Sequence, residues 1–167
     1  IILGRNSSSL IKHVDKLNES IPSSSSSYVV DILDENKLKE ISKKIIIDHG
    51  RLDGLINAAG GNLKEATVNP GQTIFDIFPD NLKKVIDLNL MGTVLPSLIL
   101  GKIMANQKSG SIINISSMAS KDALSRVLGY SIGKAGVEIF TKWMAMELAA
   151  KFGEKMRVNA IAPGFFI

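Results

Sequence analysis

The sequence predicts an α/β fold, a doubly wound parallel sheet with helices on both faces. Three observations carry this. Short apolar runs recur at residues 1–3, 28–31, 52–57, 111–115 and 156–162, and the stretches between them show helical rather than alternating periodicity. Strands that alternate with helices pair in parallel through right-handed crossovers. At 167 residues, with 45% hydrophobic and 22% charged side chains, the chain suits one globular domain with a sizeable core, spanning 1–167.

Taken in order, Ile1 to Leu3 opens without a preceding cap or turn, like the back half of a strand already under way. Gly4, Arg5 and Asn6 follow. Leu10, Val14 and Leu17 then recur at helical spacing within Ser8 to Ser20. Pro22 and the serine run Ser23 to Ser27 read as a mobile surface loop of low complexity. Tyr28 to Val30 forms the next strand, which ends at Asp31. Asp34 is a candidate N-cap for a helix carrying Leu38, Ile41 and Ile45, and Gly50 is its stop.

Leu52 to Ile56 delivers the motif Asn57-Ala58-Ala59-Gly60. Its small residues let backbone approach a flat ligand, and the Asn57 amide can tie neighbouring strands. Gly61 to Asp80 is a long polar connection on the ligand side of the sheet, ending in the semi-apolar turn Asn69 to Phe78. Asn81 to Asn106 is predicted as one long helix bent at Pro96, with an apolar stripe of Leu82, Val85, Ile86, Leu90, Val94, Leu98, Ile99 and Ile103. Asn89 lies inside that stripe, and a buried asparagine in mid-helix wants partners. A second long helix, Tyr130 to Lys151, has apolar residues on more than one side and must be covered on both faces. Residues 156–162 form the last strand, followed by Pro163, Gly164, Phe165 and Phe166.

Several function classes fall away. The net charge of +4 comes from basic residues scattered among acids, which does not point to nucleic acid. No apolar run is read as reaching the roughly 18 residues of a membrane span. Zero cysteines excludes disulfides and thiolate metal sites and fits a cytoplasmic protein. His13 and His49 read as solvated surface residues, so neither a metal site nor a Ser-His-Asp triad is expected.

The stretch from Gly110 to Phe140 carries the chemistry. A buried strand, Ser111 to Ile115, exits into Ser116 and Ser117, and a helix follows with Tyr130 and Lys134 four residues apart. That spacing stacks phenol and ammonium one turn apart on one face, where the cation favours the phenolate. Ser117 sits at the C-terminal end of a strand, where open α/β sheets bind ligands. Singly these are ordinary surface and turn residues; the conjunction is the signal.

This run resembles the catalytic segment of the short-chain dehydrogenase/reductase family, which has a Rossmann-type fold. The resemblance maps the catalytic serine, tyrosine and lysine onto Ser117, Tyr130 and Lys134, and the catalytic asparagine onto Asn89 in DLNLMGT. It also implies that Asn89 disturbs its helix and holds a water on a proton relay. The NAAG motif and the Pro163-Gly164 pair fall in the family's order. The implied cofactor is NAD(P)(H), bound by Arg5, Asp31, Ile32, Asn57, Ala58, Ala59, Gly60, Tyr130, Lys134, Pro163 and Gly164. In the family, the residue ending the second strand selects the cofactor. Gly4 removes a carboxylate there and Arg5 offers a cation, which favours NADP(H) or dual use; Arg5 simply facing solvent is the bland alternative. Asp31 either accepts from the adenine amino group or merely begins a turn.

By the same resemblance, helices 81–106 and 130–151 form the interface of a homodimer or homotetramer. The segments NAAGGNL, FDIF, NISSMAS, FTKWMAMELA and RVNAIAPGFF resemble the family's D-mannonate oxidoreductases, which are sugar-acid enzymes. Gluconate 5-dehydrogenase and 3-oxoacyl-carrier-protein reductase are rivals, and a non-catalytic dinucleotide-binding scaffold is the alternative from another class. Relative to the family pattern, the first, central strand and its Gly-rich turn are missing before Ile1, and the segment covering the substrate is missing after the Gly164 loop. The expectation is a part of a longer chain that by itself binds pyrophosphate poorly.

Overall fold

The computed structural model describes residues 1–164; the expected loop positions Phe165 and Phe166 lie outside the described residues. The fold class is the one expected, parallel sheets flanked by helices. Among the described residues five strands form two sheets, and the chain separates into two compact units, Ile1–Gly50 and Arg51–Ile167.

In the first unit, β1 (Ile2–Gly4) pairs in parallel with β2 (Ser27–Val29), Gly4 opposite Val29. Helix α1 (Ser7–Ser20) starts where the Asn6 side chain accepts from the Ser9 amide at 2.8 Å. The serine run is a surface loop through Ser26, as expected, and it is tied to α1 at one point. The Asn18 side chain accepts from the Ser25 amide at 2.8 Å and donates to the Ser25 carbonyl at 3.2 Å, and Ser27 already belongs to β2. A side-chain amide with both a donor and an acceptor can stand in for a missing strand partner, which serine-rich composition alone does not reveal. Helix α2 (Glu35–His49) begins at Asp34, whose carboxylate accepts from Lys37, and stops at Gly50, whose φ of 76° suits glycine.

In the second unit, β3 (Gly54–Asn57), β4 (Gly110–Ile115) and β5 (Met156–Ile161) pair in parallel in the order β3-β4-β5. Asn57 stands opposite Asn114, and Ile115 opposite Ile161. The connection after β3 contains two single 3₁₀ turns, Lys64–Ala66 and Ile74–Asp76. Ile112, Met104, Met144, Leu148, Met156 and Val158 form the core beneath one face of the sheet, drawn from β4, β5 and the helices α4 (Gly92–Gln107) and α5 (Leu128–Phe152).

The predicted single helix over 81–106 is instead three pieces. Helix α3 (Pro79–Ile86) passes through a π-helical turn, Asp87–Met91, into α4. The irregularity therefore centres on Asn89, ahead of Pro96, which lies inside α4. An inserted π turn shifts the phase of every residue after it. Past the turn, the predicted stripe consequently misses the buried face, which is Thr93, Ser97, Leu100 and Met104, while Leu98 is 53% exposed. The stretch Pro79–Gln107 is also long and apolar enough to cross a membrane by length and composition, contrary to the sequence reading. Val85, Leu100 and Met104 are nevertheless fully buried, as in a core helix.

Candidate active site

Strand β4 alternates buried and half-buried residues, so Ile112 and Asn114 point into the core while the strand's end releases Ser116 and Ser117. Ser116 stays buried, its hydroxyl donating to the Lys134 carbonyl at 3.3 Å. The Ser117 hydroxyl oxygen accepts from the Ala119 amide at 3.2 Å, which fixes its rotamer at the start of a 3₁₀ turn. Helix α5 then presents Tyr130 and, one turn on, Lys134, whose Nζ lies 5.7 Å from the Tyr130 ring centroid. All three line one cavity of about 360 Å³, with Ala58, Gly60, Gly61, Met118, Leu124, Pro163 and Gly164.

Lys134 is only 3% exposed, and burial pushes its ammonium below the usual lysine range. Its Nζ donates to the Ile115 carbonyl at 2.7 Å, one of the three donors an ammonium carries. The other two are available to hydroxyls in the cavity.

Asn89 is fully buried in the π turn. Its amide donates to the Gly61 carbonyl at 2.7 Å and the Val85 carbonyl at 2.8 Å, and its Oδ1 accepts from the Gly61 amide at 3.0 Å. The bond to Val85 competes with helical pairing and accounts for the disturbed turn. Both amide donors are thereby spent, so a relay water is left with the lone pairs of Oδ1 and the main-chain carbonyl.

Glycines let these groups converge. A methyl on Gly60 would lie 2.7 Å from Asn89 Oδ1 and 3.2 Å from Lys134 Nζ; one on Gly133 would lie 2.8 Å from Asn89 Cβ. Gly133→Ala is therefore expected to destabilise the fold by about 1–3 kcal/mol, because two packed helices must part. Urea unfolding checks it, and wild-type stability would show that α5 has room to spare.

Behind the cavity runs a buried polar chain that the sequence reading missed beyond Asn57. Asn57 donates to Ser97 Oγ and to Asn114 Oδ1, each at 2.8 Å, and Asn114 donates to Thr141 Oγ1 at 2.8 Å. Ser97 and Thr141 bond back to the carbonyls of Thr93 and Val137. Asn114 within the apolar run IINI was the available signal. The network occupies the Asn57 side chain and fixes the strand end from which Ala58, Ala59 and Gly60 continue; Ala58 and Gly60 reach the cavity wall.

In the first unit, Arg5 Nη1 lies 3.8 Å from Asp31 Oδ2, both side chains largely exposed beyond the ends of β1 and β2. Asp31 Oδ1 accepts from the Leu33 amide at 3.0 Å and its carbonyl from Asp34 at 2.9 Å, so Asp31 does begin a turn, through Ile32. Its second oxygen remains free of that turn.

A glycine-floored cavity carrying an ammonium with two unspent donors, a phenol and a hydroxyl fits a nicotinamide and its ribose.

The family model for short-chain dehydrogenases matches residues 1–167. An uncharacterized oxidoreductase of Haemophilus influenzae is 36% identical over 150 residues, covering 84% of this chain and 52% of the relative. A 3-oxoacyl-[acyl-carrier-protein] reductase of Thermotoga maritima is 33% identical over 165 residues, covering 99% of this chain and 63% of the relative. Among solved structures, a candidate D-mannonate oxidoreductase from Haemophilus influenza with bound NAD superposes with a TM-score of 0.89 at 33% identity, over 99% of this chain and 61% of that one. The chain thus spans about half to two thirds of the length of these relatives.

Proposed function

The chain belongs to the short-chain dehydrogenase family, and from that premise we propose that the whole protein, with 1–167 as part of its NAD(P)-binding domain, is an NAD(P)-dependent oxidoreductase acting on a carbonyl or secondary alcohol. The observation that carries this is the convergence of Ser117, Tyr130 and Lys134 on one cavity. A nicotinamide bound in this cavity would supply or accept the hydride. In the reducing direction the Ser117 hydroxyl donates to the substrate oxygen and Tyr130 passes its proton to the alkoxide forming there. The Lys134 ammonium would offer its free donors to the ribose hydroxyls. Asn89 holds Gly61 and the π turn in place, so that a relay water has a fixed oxygen to bind.

The substrate we propose is a sugar acid of the D-mannonate/D-fructuronate type, supported by the similarity to the candidate D-mannonate oxidoreductase. The second reading, a 3-oxoacyl thioester, is favoured by the Thermotoga maritima relative. Reduction of fructuronate, 5-ketogluconate and an acetoacetyl thioester, each with NADH and NADPH, separates them, gluconate 5-dehydrogenase included. Cofactor binding without turnover of any of the three would point instead to a dinucleotide-binding scaffold.

For cofactor choice, Arg5 beside Asp31 supplies a cation with a resident counter-charge, which suits dual use with a lean to NADP(H). Arg5→Ala is expected to raise KM for NADPH by about 3- to 10-fold and leave KM for NADH unchanged, given the usual strength of charge-assisted bonds at an exposed site. Equal changes for both cofactors would remove Arg5 from phosphate recognition.

Ile139, Trp143 and Met146 are 58–70% exposed along α5, an unpartnered apolar face that supports a homodimer or homotetramer through α5 and the α3–α4 helices. Light scattering is expected to show an oligomer, and a monomer would count against this interface. A cytoplasmic location completes the reading.

A further inference from the structure

We propose that Arg126 is a positioning residue, a clasp that locks the connection after β3 to the loop ahead of Tyr130 and thereby sets the substrate-side wall of the cavity. This rests on the oxidoreductase reading above. Arg126 lies four residues before Tyr130 and two after Leu124, which lines the cavity. Its contacts reach 57 and 58 residues back along the sequence. The Val68 amide donates to the Arg126 carbonyl at 3.0 Å, Arg126 Nε donates to the Val68 carbonyl at 2.7 Å, and Nη2 donates to Asn69 Oδ1 at 3.3 Å. Main chain and guanidinium of one residue thus grip two successive residues of the other segment, a planar forked geometry that lysine does not reproduce.

Two further observations place the clasp in the service of the cavity. Arg126 adopts φ +73°, a left-handed conformation that a non-glycine residue keeps only when its surroundings hold it there. The other end of the clasped segment is also fastened, since Gly61 exchanges two hydrogen bonds with Asn89. Residues 61–69 are therefore pinned at one end by Asn89 and at the other by Arg126. Between the pins, Thr67 Oγ1 donates to the Leu63 carbonyl at 2.9 Å and accepts from Asn62 at 2.6 Å, which stiffens the span. Gly61 at one pin and Leu124 beside the other both line the cavity, so releasing Arg126 frees one of its walls while leaving Ser117, Tyr130 and Lys134 in place.

The test is Arg126→Gly in the whole protein. Glycine accepts the left-handed turn, so the fold is kept while the guanidinium half of the clasp is removed. Amide exchange at Val68 is expected to quicken and KM for the carbonyl substrate to rise, each about tenfold, with kcat within about threefold and NAD(P)H affinity unchanged, as for a lost charge-assisted bond that acts on binding. Arg126→Lys is expected to behave like Arg126→Gly. Faster exchange with unchanged KM would reduce the clasp to a local staple and overturn the proposal. A higher KM with unchanged exchange, or full rescue by lysine, would mean that the charge meets the substrate directly, and would overturn it too. The exchange arm needs no substrate: an unprotected Val68 amide in the wild type sinks the clasp whatever the activity. A wild type inactive on every carbonyl tested sinks the oxidoreductase reading, and the clasp's substrate role with it.

Discussion

Tyr130→Phe in the whole protein is expected to lower kcat by about 10²- to 10⁴-fold, the usual worth of a positioned proton donor. The change removes one oxygen and little else. The ring remains to pack beside Lys134, whose bond to Ile115 does not involve the phenol, and the contacts of Gly129 and Gly133 against α3 and the π turn are untouched. Unfolding free energy should therefore move by no more than about 0.5 kcal/mol, as for substitutions that neither open a cavity nor orphan a buried group. NAD(P)H affinity should fall by no more than about tenfold, the worth of one lost hydrogen bond, because Lys134 keeps its free donors for the ribose. Steady-state kinetics beside a fluorescence titration of NAD(P)H reads both quantities. Near-normal turnover would remove Tyr130 from the proton transfer, and loss of cofactor binding would make it a binding group instead.

Lys134→Met separates activity from stability in the same way. Methionine matches the stem but not the ammonium, so a loss of about 10²- to 10³-fold in kcat is expected, comparable to removing one preorganised donor. The pH dependence of stability carries a second signature. Burial lowers the Lys134 pKa in the folded state, so between that lowered value and the ordinary 10.5 the unfolded chain binds more protons than the folded one. The cost of burying the charge is fully present below the folded pKa and is relieved as pH rises towards 10.5. The Lys134 contribution to stability thus rises with pH over that window, and Lys134→Met should lack that rise. Urea denaturation of both proteins across the alkaline range measures it. Parallel curves would mean that Lys134 is solvated in solution.

Much of this arrangement was legible in the sequence because local chemistry decides it. Asp34 and Gly50 delimit α2 as capping residues should, and the four-residue spacing of Tyr130 and Lys134 survives into the folded helix. The strand ending at Asn57 and the buried role of Asn89 were equally readable, since a lone amide in an apolar context must find partners. What escaped depends on contacts between segments distant in sequence. The π turn at Asp87–Met91 is stabilised by Gly61, 28 residues before Asn89, and periodicity counted at 3.6 residues per turn loses register after it. The hold of Asn18 on Ser25 and the grip of Arg126 on Val68 likewise join residues whose pairing leaves no local pattern.

The convergence of Tyr130, Lys134 and Ser117 on the space proposed for the nicotinamide is tested most directly by a crystal structure of the whole protein with NAD(P)H bound. The predicted result is ribose hydroxyls about 2.7–3.2 Å from Lys134 Nζ and Tyr130 Oη, with the nicotinamide ring between them and Ser117. A nicotinamide lying outside the cavity, with Lys134 still bonded only to the Ile115 carbonyl, would contradict it.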